Sequence, residues 1–119
     1  MSFKAILNNL LAATPGANGA VLADLDGEAI DLCCSYDSFE LKIIGAHGGI
    51  LLNRMKKLGS LSLTGEVQET VVTTGSERVV IGAVGKEYML VVTLDRDSMV
   101  GQALHNIRES IRLLEKEIY

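Results

Sequence analysis

Residues 78–94 read RVVIGAVGKEYMLVVTL, and this stretch decides the architecture. Two apolar runs flank the break at Gly85-Lys86: Val79, Val80, Ile81, Ala83 and Val84, then Met89, Leu90, Val91, Val92 and Leu94. A strand turns successive side chains to opposite faces, so a strand with one wet face alternates apolar with polar residues. These two runs do not alternate. They are apolar on both faces and belong in the middle of a sheet that helices cover from both sides.

The flanking segments supply the rest of that sheet. Residues 67–73, VQETVVT, alternate and are rich in Val and Thr. They read as an edge strand, yet carry neither Lys nor Pro, residues that ordinarily block a free edge. An unblocked edge pairs with another strand, and the simplest source is a second copy of the chain. Residues 19–35, GAVLADLDGEAIDLCCS, read as a hairpin with strands over 21–25 and 29–34 around Asp26-Gly27.

Three helices complete the order. Ser2 caps the first, in which Phe3, Ile6, Leu7, Leu10 and Leu11 recur at helical spacing before Pro15-Gly16 ends it. Asp95 or Asp97 is the expected cap of the last, whose Val100, Leu104, Ile107, Ile111, Leu114 and Ile118 step by threes and fours. The middle helix spans 39–58, with Asp37 and Glu40 as a capping box and Gly59 as a left-handed stop. The expected fold is α+β, in the order αββαβββα, as one domain over 1–119. Its five-stranded antiparallel sheet has the middle helix on one face and the terminal helices on the other.

The middle helix is apolar on two sides. At about 100° per residue, Leu41, Ile44, Gly45, Gly48, Leu51, Leu52, Met55 and Leu58 form one broad stripe. Phe39, Ile43, Ala46 and Ile50 lie opposite, bordered by His47, Arg54 and Lys57, and a narrow wedge of Lys42, Gly49, Asn53 and Lys56 is left for water. A helix packed once against its own sheet needs one stripe; the second needs a partner. One symmetric dimer satisfies both the second stripe and the open edge strand, with Phe39, Ile43, His47, Ile50, Val67, Glu69, Val71 and Thr73 at the interface.

Composition narrows the function. A net charge of −4 argues against nonspecific binding of nucleic acid or an anionic membrane, and no apolar run approaches the length that spans a bilayer. The expectation is a cytoplasmic protein. Aromatic residues make up 4% and tryptophan is absent, so base-stacking platforms are poorly supplied. Cys33 and Cys34 are adjacent and on a strand point to opposite faces, which suits buried thiols better than a staple or a metal pair.

Catalytic signatures are lacking. The run Gly82-Ala83-Val84-Gly85-Lys86 superficially matches a phosphate loop, but Glu87 follows the lysine, Val80 stands where the first glycine belongs, and the context is strand to strand. His47 and His105 have no partners at ligand spacing, and Asp24, Asp26, Glu28 and Asp31 lack the spacing of a calcium loop. Protonated at a twofold, two His47 side chains would oppose association. Arg54 on a helix and Arg78 at a strand start are poorly placed for an arginine finger, which arrives on a loop. The expectation is no catalytic site, no metal and no cofactor.

With the helix order, GAVLADLDGEAI after the first helix and RVVIGAVGKEYMLVVTLDRDSMVGQALHNIR at the end, the chain resembles the Roadblock/LC7 family, in particular its small bacterial and archaeal MglB-like members. The resemblance implies a profilin-like Roadblock architecture and a homodimer joined through its third strands and middle helices. It also implies a partner, a Ras-like small GTPase whose own site the dimer reshapes in signalling. Carried to this chain, the GTPase-facing surface falls on Ala46, Gly49, Ile50, Asn53 and Arg54. The alternative is a small-ligand-sensing αβα sandwich of the PAS or profilin type with no GTPase partner.

Overall fold

The computed structural model describes residues 1–62 and 65–119, with side chains described outside 59–64. The elements are α1 (Phe3–Ala13), β1 (Ala17–Asp24), β2 (Ala29–Cys34), α2 (Ser38–Ser62), β3 (Glu69–Thr73), β4 (Glu77–Val84), β5 (Tyr88–Asp95) and α3 (Val100–Ile118). All strand pairs are antiparallel and the order across the sheet is β2-β1-β5-β4-β3. The apolar runs of β4 and β5 sit inside the sheet, and β3 and β2 are its edges, as the pattern of 67–94 requires.

Alternation along β1, β4 and β5 splits the core in two. Ala20, Leu22, Val80, Val84, Leu90, Val92 and Leu94 meet Ile6, Leu7 and Leu10 of α1 and Ala103, Ile107 and Leu114 of α3. On the other face Val21, Ala23, Ile81, Ala83, Met89 and Val91 meet Leu41 and Leu52 of α2. Both faces are therefore covered by helices, which is why these strands tolerate no polar alternation.

The helix ends follow local chemistry, with two departures. Ser2 Oγ accepts from Ala5 N–H at 3.1 Å and Asp37 Oδ1 accepts from Phe39 N–H at 3.0 Å, so Ser2 and Asp37 both cap, although among the described residues no bond to Glu40 completes the expected box. The cap of α3 is neither Asp95 nor Asp97: Met99 occupies that position in extended backbone with no side-chain bond. Asp95 instead ends β5 and accepts from Asn18 Nδ2 at 3.2 Å. Gly59 does not stop α2, which continues to Ser62. Glycine costs about 1 kcal/mol in a helix interior, too little to end a helix that its neighbours favour. The expected loop from Gly59 to Gly65 thus shrinks, and its residues 63–64 lie outside the described residues.

Candidate functional site

The candidate site is the outer face of α2 together with the β3 edge. The underside of α2 is seated on the sheet by glycines. A Cβ at Gly45 would lie 3.2 Å from Val21 Cγ1, one at Gly48 3.1 Å from Val91 Cγ2, and one at Gly49 3.1 Å from the Leu25 carbonyl oxygen. Each contact is tighter than a methyl normally tolerates, so the helix backbone rests directly on strand side chains and on the β1–β2 turn.

That seating corrects the helical-wheel assignment of Gly49, which is buried rather than in the wet wedge or on a partner-facing surface. It lies one turn from Gly45 and Leu52, and without a side chain it lets the turn close over it. Ala46 is half-buried beside the same turn: a Cβ at Gly27 would come within 2.7 Å of the Ala46 Cα. Leu58, assigned to the inner stripe, is 53% exposed. At 1.5 Å per residue a helix the length of α2 runs roughly 37 Å, against roughly 27 Å for an eight-residue strand, so its last turns have less sheet beneath them.

The opposite side of α2 is open. Phe39 is 68% exposed, Ile50 55% and Ile43 43%, with His47, Asn53 and Arg54 exposed around them. Of the residues the resemblance marks for a GTPase, Ile50, Asn53 and Arg54 reach solvent, while Ala46 and Gly49 lie against the β1–β2 turn. On its underside the helix touches mainly β1 and β2. Thr70 and Val72 of β3, and Val79 of β4, face the α2 layer and are only half-buried.

Strand β3 begins at Glu69, two residues later than the sequence suggests, although the Gln68 carbonyl still accepts from Ala83 N–H at 2.8 Å. That bond, the bond from Thr74 N–H to the Glu77 carbonyl at 2.9 Å, and the β3–β4 register together set the parity of the edge. Backbone groups alternate in direction along an antiparallel strand. Those of Thr70 and Val72 therefore point to β4, and those of Glu69, Val71 and Thr73 point outward. Among the described residues nothing bonds to these outward groups. The side chains of Glu69, Val71 and Thr73 stand on the α3 face, where Arg108 Nε donates to Glu69 Oε2 at 3.2 Å and Val71 is exposed. Val67, half-buried, precedes the strand. Sequence reading missed Thr70 and Val72, because Val71-Val72 gives no hint of which valine turns toward which layer.

Other candidate chemistry is accounted for. Gly82–Val84 end β4, and Gly85 turns beneath the Tyr119 ring, so the lysine-bearing run joins strand to strand. Arg78 Nη1 donates to the Ser98 carbonyl at 3.1 Å. Cys33 Sγ reaches Asn8 Oδ1 on one face and Cys34 Sγ the Tyr36 carbonyl on the other, so the two thiols do point apart. Asp24 Oδ1 accepts from Asp26 and Glu28 N–H and shapes the turn. Among the described residues no group of three or more His, Cys, Asp or Glu is placed to hold a metal, and no helix is long and apolar enough to cross a membrane. A surface cavity of about 510 Å³ opens at the start of α3, lined by Pro15, Asp95, Ser98, Met99 and Gln102 among others.

The profile of the Roadblock/LC7 domain matches residues 4–94. No curated protein matches the chain in sequence. Among solved structures, the Roadblock/LC7 domain from Streptomyces avermitilis is similar at a TM-score of 0.88 and 18% identity, over 95% of this chain and 94% of that one. MglB of Myxococcus xanthus gives 0.88 and 18%, over 98% and 94%. MglB in a tetrameric arrangement gives 0.87 and 18%, over 96% and 85%. At these identities the likeness is one of fold.

Proposed function

The chain belongs to the Roadblock/LC7 domain family, and from that premise we propose that it is a homodimeric, noncatalytic regulator or scaffold for a Ras-like small GTPase. The observation that carries this reading is the exposed apolar stripe Phe39, Ile43 and Ile50 on the same chain as a β3 edge that is unpaired among the described residues. Two copies joined antiparallel along β3 merge their sheets into one and set their α2 helices side by side over Thr70, Val72 and Val79. An MglB structure is described as a tetrameric arrangement, which supports self-association in this family.

Energetics favour the pairing. Each large apolar side chain is worth up to about 1.5–3 kcal/mol when fully buried, and the twofold doubles the count. That gain opposes an association cost of about 4–15 kcal/mol, and strand pairing adds backbone hydrogen bonds on top of it. The paired helices then present Ile50, Asn53 and Arg54 to the GTPase. Arg54 is fixed on a helix and Arg78 is held by Ser98, so neither is delivered on a loop to a phosphate. The dimer acts by shaping the partner's own site, in the cytoplasm.

Ile50→Arg tests this. Light scattering should show a weakened dimer, or capture of a small GTPase from source lysate should fall, with unchanged far-UV circular dichroism. If both associations persist at wild-type strength, the surface is not the interface. A sensing role would instead use the cavity at the start of α3 and would appear as a metabolite-induced rise in Tm.

A further inference from the structure

We propose that Lys4 and Asp31 together plug the β2 edge, so that strand pairing between copies is confined to β3. The inference rests on the reading of β3 as the self-association edge. A five-stranded sheet has two edges, and a chain with both open adds copies at each end without limit, whereas one open edge stops at two.

The β2 edge is interrupted at its middle, at Leu32, by side chains standing in for a neighbouring strand. Ser35 N–H donates to the Asn18 carbonyl at 2.9 Å, and the register sets Cys33 opposite Ala20 and Asp31 opposite Leu22. These residues turn their backbone groups toward β1, so Leu32 and Cys34 turn theirs outward. At Leu32 both outward groups are taken: the N–H donates to Asp31 Oδ1 at 2.8 Å, and the carbonyl accepts from Lys4 Nζ. Lys4 and Asp31 are themselves paired at 3.3 Å. Beyond Asp31 the pairing slips, and Ile30 has no partner on β1, which bends the edge away from a straight template.

The plug is held in place by the fold. Phe3, Ile6, Leu7 and Leu10 fix α1 against the sheet, and Asn8, one turn after Lys4, meets Cys33 Sγ on the same strand. The β3 edge has no counterpart: Arg108 engages the Glu69 side chain and leaves the outward backbone groups of Glu69, Val71 and Thr73 unoccupied among the described residues.

The test is light scattering across concentration on Lys4→Ala, Asp31→Ala and Lys4→Arg, with far-UV circular dichroism on each. Wild type should plateau at a dimer. Both alanine variants should grow to at least twice that mass with native circular dichroism, and Lys4→Arg, which keeps the charge and donors, should stay with wild type. Unchanged mass in both alanine variants overturns the proposal, as does growth accompanied by loss of the native spectrum. Val71→Pro separates the two readings, because the Val71 N–H points away from β4 and proline there removes no bond among the described residues. In that background Lys4→Ala should convert a monomer into a dimer through β2. A wild type that stays monomeric would dismiss the β3 reading while leaving this last result able to sustain or sink the plug.

Discussion

At the scale of single residues, the middle helix depends on what is missing from it. Gly27 adopts φ +88°, where an L side chain is strained, and a Cβ there would press on the Ala46 backbone. Gly27→Ala is expected to destabilise the fold by about 2 kcal/mol or more in urea unfolding, combining backbone strain with displacement of α2. A second residue-scale device is the polar chain from the Tyr36 hydroxyl to Thr93 Oγ1 at 3.0 Å, on to Asn18 Oδ1, and from Asn18 Nδ2 to Asp95. Burial pushes the Tyr36 phenol above its ordinary range, with the Thr93 bond partly offsetting that. A raised folded value means stability fully present below the unfolded value of about 10 and lost as pH climbs through the folded one. Tyr36→Phe should therefore flatten the alkaline limb of a stability–pH curve; a limb identical to wild type would show that Tyr36 does not cause it. Gly49 marks where the sequence ran out at this scale: a helical wheel gives a direction, but not a turn folding over it.

At the scale of elements, the two central strands were readable because their both-faced apolar character has one structural solution. Edge identity followed for β3, but its parity did not, since Val71 and Val72 are interchangeable until the β4 register is known. Val71→Pro is expected to abolish strand-mediated association and leave the monomer's thermal unfolding within a few degrees of wild type; dimers persisting in light scattering would place the interface elsewhere. The α3 cap was misread because Asp97 is a good capping residue set two positions too early. Met99, in extended backbone and largely exposed, leaves that role unfilled. Met99→Ser should stabilise the protein by about 0.5–2 kcal/mol, read as a higher urea midpoint at constant slope.

At the scale of the whole molecule, each half of the core is mainly aliphatic and each lies under its own helical layer, as the both-faced apolar runs of β4 and β5 required. The site was legible only as a surplus of apolar surface on one helix; its division into an open flank at Phe39, Ile43 and Ile50 and a covered flank at Ala46 and Gly49 needed the β1–β2 turn in position. The association we propose through that open flank is mainly apolar, so its Kd should shift less than tenfold between about 0.05 and 1 M salt, whereas an ion-pair interface would weaken steeply. Sedimentation at the two salt concentrations decides this.

The glycine seat beneath α2 carries one more consequence. Because the helix meets the sheet through bare backbone at positions 45, 48 and 49, its underside has almost no room for sequence drift. The exposed side chains of its top, Phe39, Ile43 and Ile50, carry little of the core and are free to vary. If that face is the docking surface we propose, partner choice can be rewritten there in a handful of codons at little expense to folding.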